Sequence, residues 1–137
     1  MRLLALRVRP KNFSIQLLPK GRYRLTLLYD VVSIWPIIGD GPNQLRWHRS
    51  KLAMAVHGSD KHYLLKDVHR QHFNAMASKC GYAATAEPLI EELLQRVPHA
   101  IAEVGAKLPA GFPQRVADTI FAGLQGSAAK LQRMPPA

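Results

Sequence analysis

Apolar and polar positions alternate with a period of two on both sides of a short break near the start of the chain. Phe13, Ile15 and Leu17 alternate with Ser14 and Gln16; after Pro19-Lys20-Gly21, Tyr23 and Leu25 alternate with Arg22 and Arg24. This pattern predicts an antiparallel β-hairpin, and Gly21 can supply the positive φ its turn needs. Val31-Val32-Ser33-Ile34-Trp35 is a short apolar segment ended by Pro36, readable as one helical turn capped by Asp30. Gly39 to Asn43 has the composition of a loop. Lys51–Val56 is again apolar, His57-Gly58-Ser59-Asp60 reads as a turn and Lys61–Leu65 as a returning strand, so a second small hairpin is expected.

The spacing then changes to that of helices. The first is expected from Lys66 or Asp67, burying Val68, Phe73, Met76 and Ala77, with Gly81 just past its end. Thr85 is an N-cap for the second, whose apolar face is Leu89, Ile90, Leu93, Leu94, Val97, Ile101 and Val104. Pro98 should kink or split that helix, and Lys107-Leu108-Pro109 should end it. A third opens near Pro113 with Val116, Ile120, Phe121 and Leu124 inward, and Gly126 closes it. The expected class is α+β: one or two small hairpins (residues 1–65) followed by about three packed helices (66–137) in a single domain.

At 137 residues, with 47% hydrophobic and 20% charged positions, the chain has a globular composition. No apolar run approaches the roughly 18 residues of a membrane span. The opening Met1–Leu6 is too short an apolar stretch for a signal peptide, because Arg7 and Arg9 interrupt it. A lone Cys80 fits a reducing compartment, and the expected location is cytoplasmic. The formal charge of +10 is concentrated early: seven Lys/Arg and no acid precede Asp30, whereas five of each sign follow from Cys80 onward. That asymmetry points to an anionic partner, or to acids supplied by further chain upstream.

Asn12 and Asp30 lie at nearly equal distances from the first turn, so antiparallel pairing returns an amide and a carboxylate to the same open end. Magnesium keeps most of its waters and phosphates, so one carboxylate and one amide oxygen suffice to place it. Protein kinases use an Asn and a later Asp in this way, with a proton-accepting Asp five residues before the Asn. Here that position is Arg7, which cannot accept a proton. The plainer roles are a turn-forming Asn12 and a helix-capping Asp30. Arg46, Arg49 and Lys51 interleave with Trp47 in a basic connector, a pattern found on nucleic-acid surfaces and on ordinary solvated faces. His69-x-x-His72 lacks the further ligands of a zinc site, and Cys80 lacks an environment that would lower its pKa.

Lys11-Asn12-Phe13-Ser14-Ile15, Arg24-Leu25-Thr26 and Leu28-Tyr29-Asp30-Val31-Val32-Ser33 together resemble the catalytic region of HipA-type serine/threonine kinases, the toxin halves of bacterial type II toxin–antitoxin systems. Gly39-Asp40-Gly41-Pro42-Asn43-Gln44-Leu45, Lys51–Val56 and His62-Tyr63 extend the likeness, which runs well from Lys11 to Gly81. The family reads Asp-x-His-x-Lys-Asn-Phe-Ser where this chain has Arg7-Val8-Arg9-Pro10-Lys11-Asn12-Phe13-Ser14. The resemblance implies a kinase C-lobe with magnesium at Asn12 and Asp30 and ATP held by Lys11, Asn12 and Asp30. It also implies an antitoxin partner and, through it, operator DNA. The expectation is a truncated or frameshifted product, in frame from about Lys11 and without the family's N-lobe, inactive alone in phosphoryl transfer. The alternative is a non-catalytic basic module that binds an antitoxin, DNA or both.

Overall fold

The computed structural model of the chain describes residues 12–27 and 29–136. The order is hairpin, irregular connector, hairpin, three helices, as the alternation and spacing require. Strands β1 (Ile15–Leu17) and β2 (Tyr23–Leu25) pair antiparallel, Ile15 opposite Leu25, Gln16 opposite Arg24 and Leu17 opposite Tyr23. Between them Pro19–Gly21 forms a 3-10 turn in which both Lys20 and Gly21 have positive φ. The polar face of this ribbon is tied by Ser14–Thr26 (2.7 Å) and by Arg24 donating to Gln16 (2.8 Å). Its apolar face is exposed along both strands.

Strands β3 (Lys51–His57) and β4 (Lys61–Leu64) make the second hairpin, with an irregularity between Lys51 and Val56. Helices α1 (Arg70–Lys79), α2 (Glu87–Ala106) and α3 (Gln114–Arg133) follow. The core lies where β3 meets the helices: Val56, Phe73, Ala77, Ala86 and Ile90 are buried together, with Leu52, Val68, Met76, Leu94 and Leu131 around them. Val97 and Ala117 are also buried, on α2 and α3. Each fully buried aliphatic side chain contributes roughly 1.5–3 kcal/mol, so this cluster, and not the first hairpin, carries the stability.

Four expectations need correction. Residues 65–67 form a 3-10 turn, and α1 starts only at Arg70. Pro98 does not split α2, which is continuous from Glu87 to Ala106 with the proline on its exposed side. A proline ring costs an internal helix most through a lost bond and a clash one turn back; here the burial of the neighbouring Val97 outweighs it. Gly126 does not close α3, which runs on to Arg133, because Ala128 and Leu131 still have apolar surface to bury. Asp30 caps no helix: the next helical residues are the 3-10 turn Trp35–Ile37, whose N-cap position is Ile34.

Candidate functional site

The first hairpin brings its two flanks back to one place. Asn12 is buried, and its Nδ2 donates to the backbone carbonyl of Asp30 at 2.9 Å and to the Asp30 carboxylate at 3.4 Å. Eighteen residues of chain separate the two, so this contact closes the ribbon's open end. Asp30 sits in the left-handed region at φ 52°, a conformation that Asp tolerates better than most L-residues. That backbone twist turns the Asp30 carbonyl toward Asn12 while the residue stays exposed.

Asn12 Oδ1 is buried and has no hydrogen-bond partner among the described residues. An unsatisfied buried amide oxygen costs about 1–3 kcal/mol, which selects for something to bind it. The pair therefore offers one orphaned oxygen and one carboxylate. This donor set suits magnesium, which keeps waters and phosphates in its remaining positions. Among the described residues no group of three His, Cys, Asp or Glu is placed to hold a metal ion of any kind, and a two-residue donor set lies outside that count. Lys11 and Arg7, expected at the nucleotide and at the base position, lie outside the described residues.

The connector after Asp30 is anchored by aromatic rings. Trp35 stacks on Trp47 with centroids 5.1 Å apart and planes 14° from parallel, and it rests against α3 at Gly123. Nearby, a Cβ on Gly39 would lie 2.2 Å from Gln44 Oε1 and would displace that flexible side chain, whose oxygen accepts from the Gly41 amide at 2.8 Å. Arg46, Arg49 and Lys51 are all exposed around the 3-10 turn Trp47–Arg49. They form a positive surface, and one face of the Trp47 ring among them is covered by Trp35. Among the described residues, no helix is long and apolar enough to cross a membrane.

Sequence patterning missed a polar network at the α1–α2 junction. Buried Arg70 donates from Nε to Glu87 at 2.7 Å and from its terminal nitrogen to Glu87 and Glu91. Hydrogen bonding to Glu87, opposed by burial, raises the Arg70 pKa further, so it stays charged. Asn74 donates to Glu87 (2.6 Å), while its Oδ1 accepts from Thr85 Oγ1 and the Ala86 amide, each at 2.9 Å. Thr85 Oγ1 in turn accepts from the Glu87 amide at 3.2 Å. Glu87 and Glu91 are one helical turn apart, on the same side of α2 as Ile90, but no spacing in the sequence marks Arg70 as their partner.

Comparison with known families bears on this arrangement directly. The model of the HipA-like C-terminal domain matches residues 10–101, a span that holds Asn12, Asp30, both hairpins, all of α1 and most of α2. That match extends over well more than half of the 137 residues, and the chain belongs to the HipA-like C-terminal domain family.

Proposed function

We propose that this chain is a HipA-like kinase C-lobe that binds magnesium-bound ATP phosphates at Asn12 and Asp30 and does not by itself transfer phosphate. The observation that supports this most is the contact of the Asn12 Nδ2 with Asp30, 2.9 Å to its carbonyl and 3.4 Å to its carboxylate, with the Oδ1 of the same amide buried and without a partner among the described residues. Asp30 and Asn12 would hold the magnesium, and Lys11 would add positive charge toward the phosphates. The ion would supply neutralisation of phosphate charge. The chain's own residues fix the clamp: the hairpin sets the spacing, and the Asn12–Asp30 backbone contact fixes the orientation of the amide.

Five residues before Asn12 stands Arg7, and a guanidinium cannot take a proton from a substrate hydroxyl. Loss of a general base removes roughly a hundred- to ten-thousandfold in rate. The setting we read from the family is a cytoplasmic toxin–antitoxin system, and the exposed free thiol of Cys80 suits that reducing compartment.

The exposed cations Arg46, Arg49 and Lys51 favour a second reading, a basic module that binds an antitoxin protein or DNA. Titration with ATP and magnesium separates the two. The first reading expects magnesium-dependent nucleotide binding that disappears in Asp30→Ala and survives in Arg46→Ala, with no autophosphorylation. Binding unchanged in Asp30→Ala, or autophosphorylation by the unmodified chain, overturns it. Under the second reading, DNA affinity falls steeply between low and moderate salt, and Arg46→Ala weakens it.

A further inference from the structure

Away from the Asn12–Asp30 clamp, three histidines meet where the β3–β4 hairpin rests on the start of α1. The His62 ring, on β4, lies flat on the His72 ring with centroids 3.7 Å apart and planes 6° from parallel. His69 meets the His72 ring edge-on at 5.5 Å. The hairpin turn closes over the pair: a Cβ on buried Gly58 would sit 3.1 Å from His72 Cδ2 and 3.3 Å from His62 Nε2.

The His72 nitrogen that could take a proton is committed to the neutral form. His72 Nδ1 accepts from the His69 backbone amide at 3.2 Å, so it carries a lone pair and the ring's proton is on Nε2. His72 is the third residue of α1 and His69 is the residue before its first, so this bond satisfies one of the donors a helix start leaves free. Protonation at Nδ1 would replace that bond by two N–H groups facing each other. It would also place a cation at the positive end of the helix dipole. Among the described residues, His62 Nε2 is buried with no hydrogen-bond partner.

The surrounding charge offers no compensation. Lys79 of α1 donates to the Gly58 carbonyl, His57 ends β3 and Lys61 opens β4. Asp60, the acid of the turn, is exposed and makes no ion pair with either ring. Burial, then the neighbouring His62 and His69, holds His72 below the usual histidine range.

We propose that His72, stacked on His62, is a proton-operated latch: its neutral ring holds the β3–β4 hairpin against α1, and mild acid releases it. Below the unperturbed histidine pKa of about 6.5 the opened hairpin takes up a proton on His72 that the closed one refuses. Opening therefore grows as pH falls through that value and levels off below the closed-state pKa.

Native-state amide hydrogen exchange of the full chain between pH 7.5 and 5, corrected for intrinsic exchange, tests this. The opening constant of β3 and β4 amides should rise by up to about tenfold per pH unit per proton below 6.5, while α2 amides change far less. His72→Gln keeps an acceptor for the His69 amide but cannot titrate, and His62→Phe keeps the stack without the charge; the double variant should make hairpin opening independent of pH. Equal pH dependence for the hairpin and α2, or an unchanged dependence in the double variant, overturns the latch. If the double variant does not fold, ring titration of the unmodified chain by NMR decides: His72 titrating at or above 6.5 overturns it, and titration below 6.5 in step with hairpin opening supports it.

Discussion

Gly123 is the point at which the connector carrying Asp30 is pinned to the helices, and substituting it tests that arrangement. A Cβ there would lie 2.1 Å from Trp35 Cδ2, 2.4 Å from Cγ and 2.5 Å from Cε2, inside the indole ring. Gly126, one turn along the same helix, has nothing within 4 Å of its Cβ position. Alanine in place of an interior helix glycine gains about 0.5–1 kcal/mol from backbone entropy. At Gly126 nothing opposes that gain, so Gly126→Ala should stabilise the fold by about that amount.

At Gly123 the indole must move, at a cost of about 1–3 kcal/mol for overpacking. It also leaves its stack on Trp47, worth about 0.5–1.5 kcal/mol. After the propensity gain, Gly123→Ala should destabilise by roughly 1–3 kcal/mol, with the two variants displaced to opposite sides of the unmodified chain. Thermal melts followed by circular dichroism at 222 nm read the difference as several degrees, at roughly 2–8 °C per kcal/mol. Tryptophan emission should shift only in Gly123→Ala. A Gly123→Ala protein that melts at or above the unmodified one refutes the seating of Trp35 on α3.

Arg70→Ala should lower stability by about 2–4 kcal/mol, because it leaves the Glu87 carboxylate facing a partly buried junction with its guanidinium gone; denaturant unfolding measures it, and a loss under 0.5 kcal/mol contradicts the network. Asn74→Ala should cost about 1–3 kcal/mol through the unpaired Ala86 amide at the start of α2, and exchange at that amide should accelerate more than at α3 amides. Pro98→Ala should raise stability by less than the roughly 3 kcal/mol expected of an ordinary helix interior, since the native helix already accommodates the ring; a larger gain in the same unfolding assay contradicts that accommodation.

Short-range patterning made the first hairpin and its turn legible, because alternation and a Pro/Gly break are local properties; the register, Ile15 opposite Leu25, came from the structure. The pairing of Asn12 with Asp30 followed from counting outward from that turn, and the contact at 2.9 Å is its geometric counterpart. Helix ends were less legible, because tertiary packing sets them. Ala128 and Leu131 carry α3 past Gly126, and Val97 holds α2 together across Pro98. The stop signals at those two residues are weaker than the burial on either side. Hidden altogether were contacts between distant polar residues. Nothing in the spacing of Arg70 announced that it would be buried against Glu87, and nothing in His62 announced a ring on top of it.

Leu17, Tyr23, Leu25 and Leu27 are 77%, 71%, 69% and 92% exposed, on a ribbon only two strands wide. Among the described residues both of its outer edges have open backbone donors and acceptors, so molecules that meet there can zip together edge to edge or press greasy faces into contact. A preparation of this chain will accordingly be limited by crowding before it is limited by heat: it will cloud on concentration while its helices remain intact, and dilution will be the gentler remedy than cold.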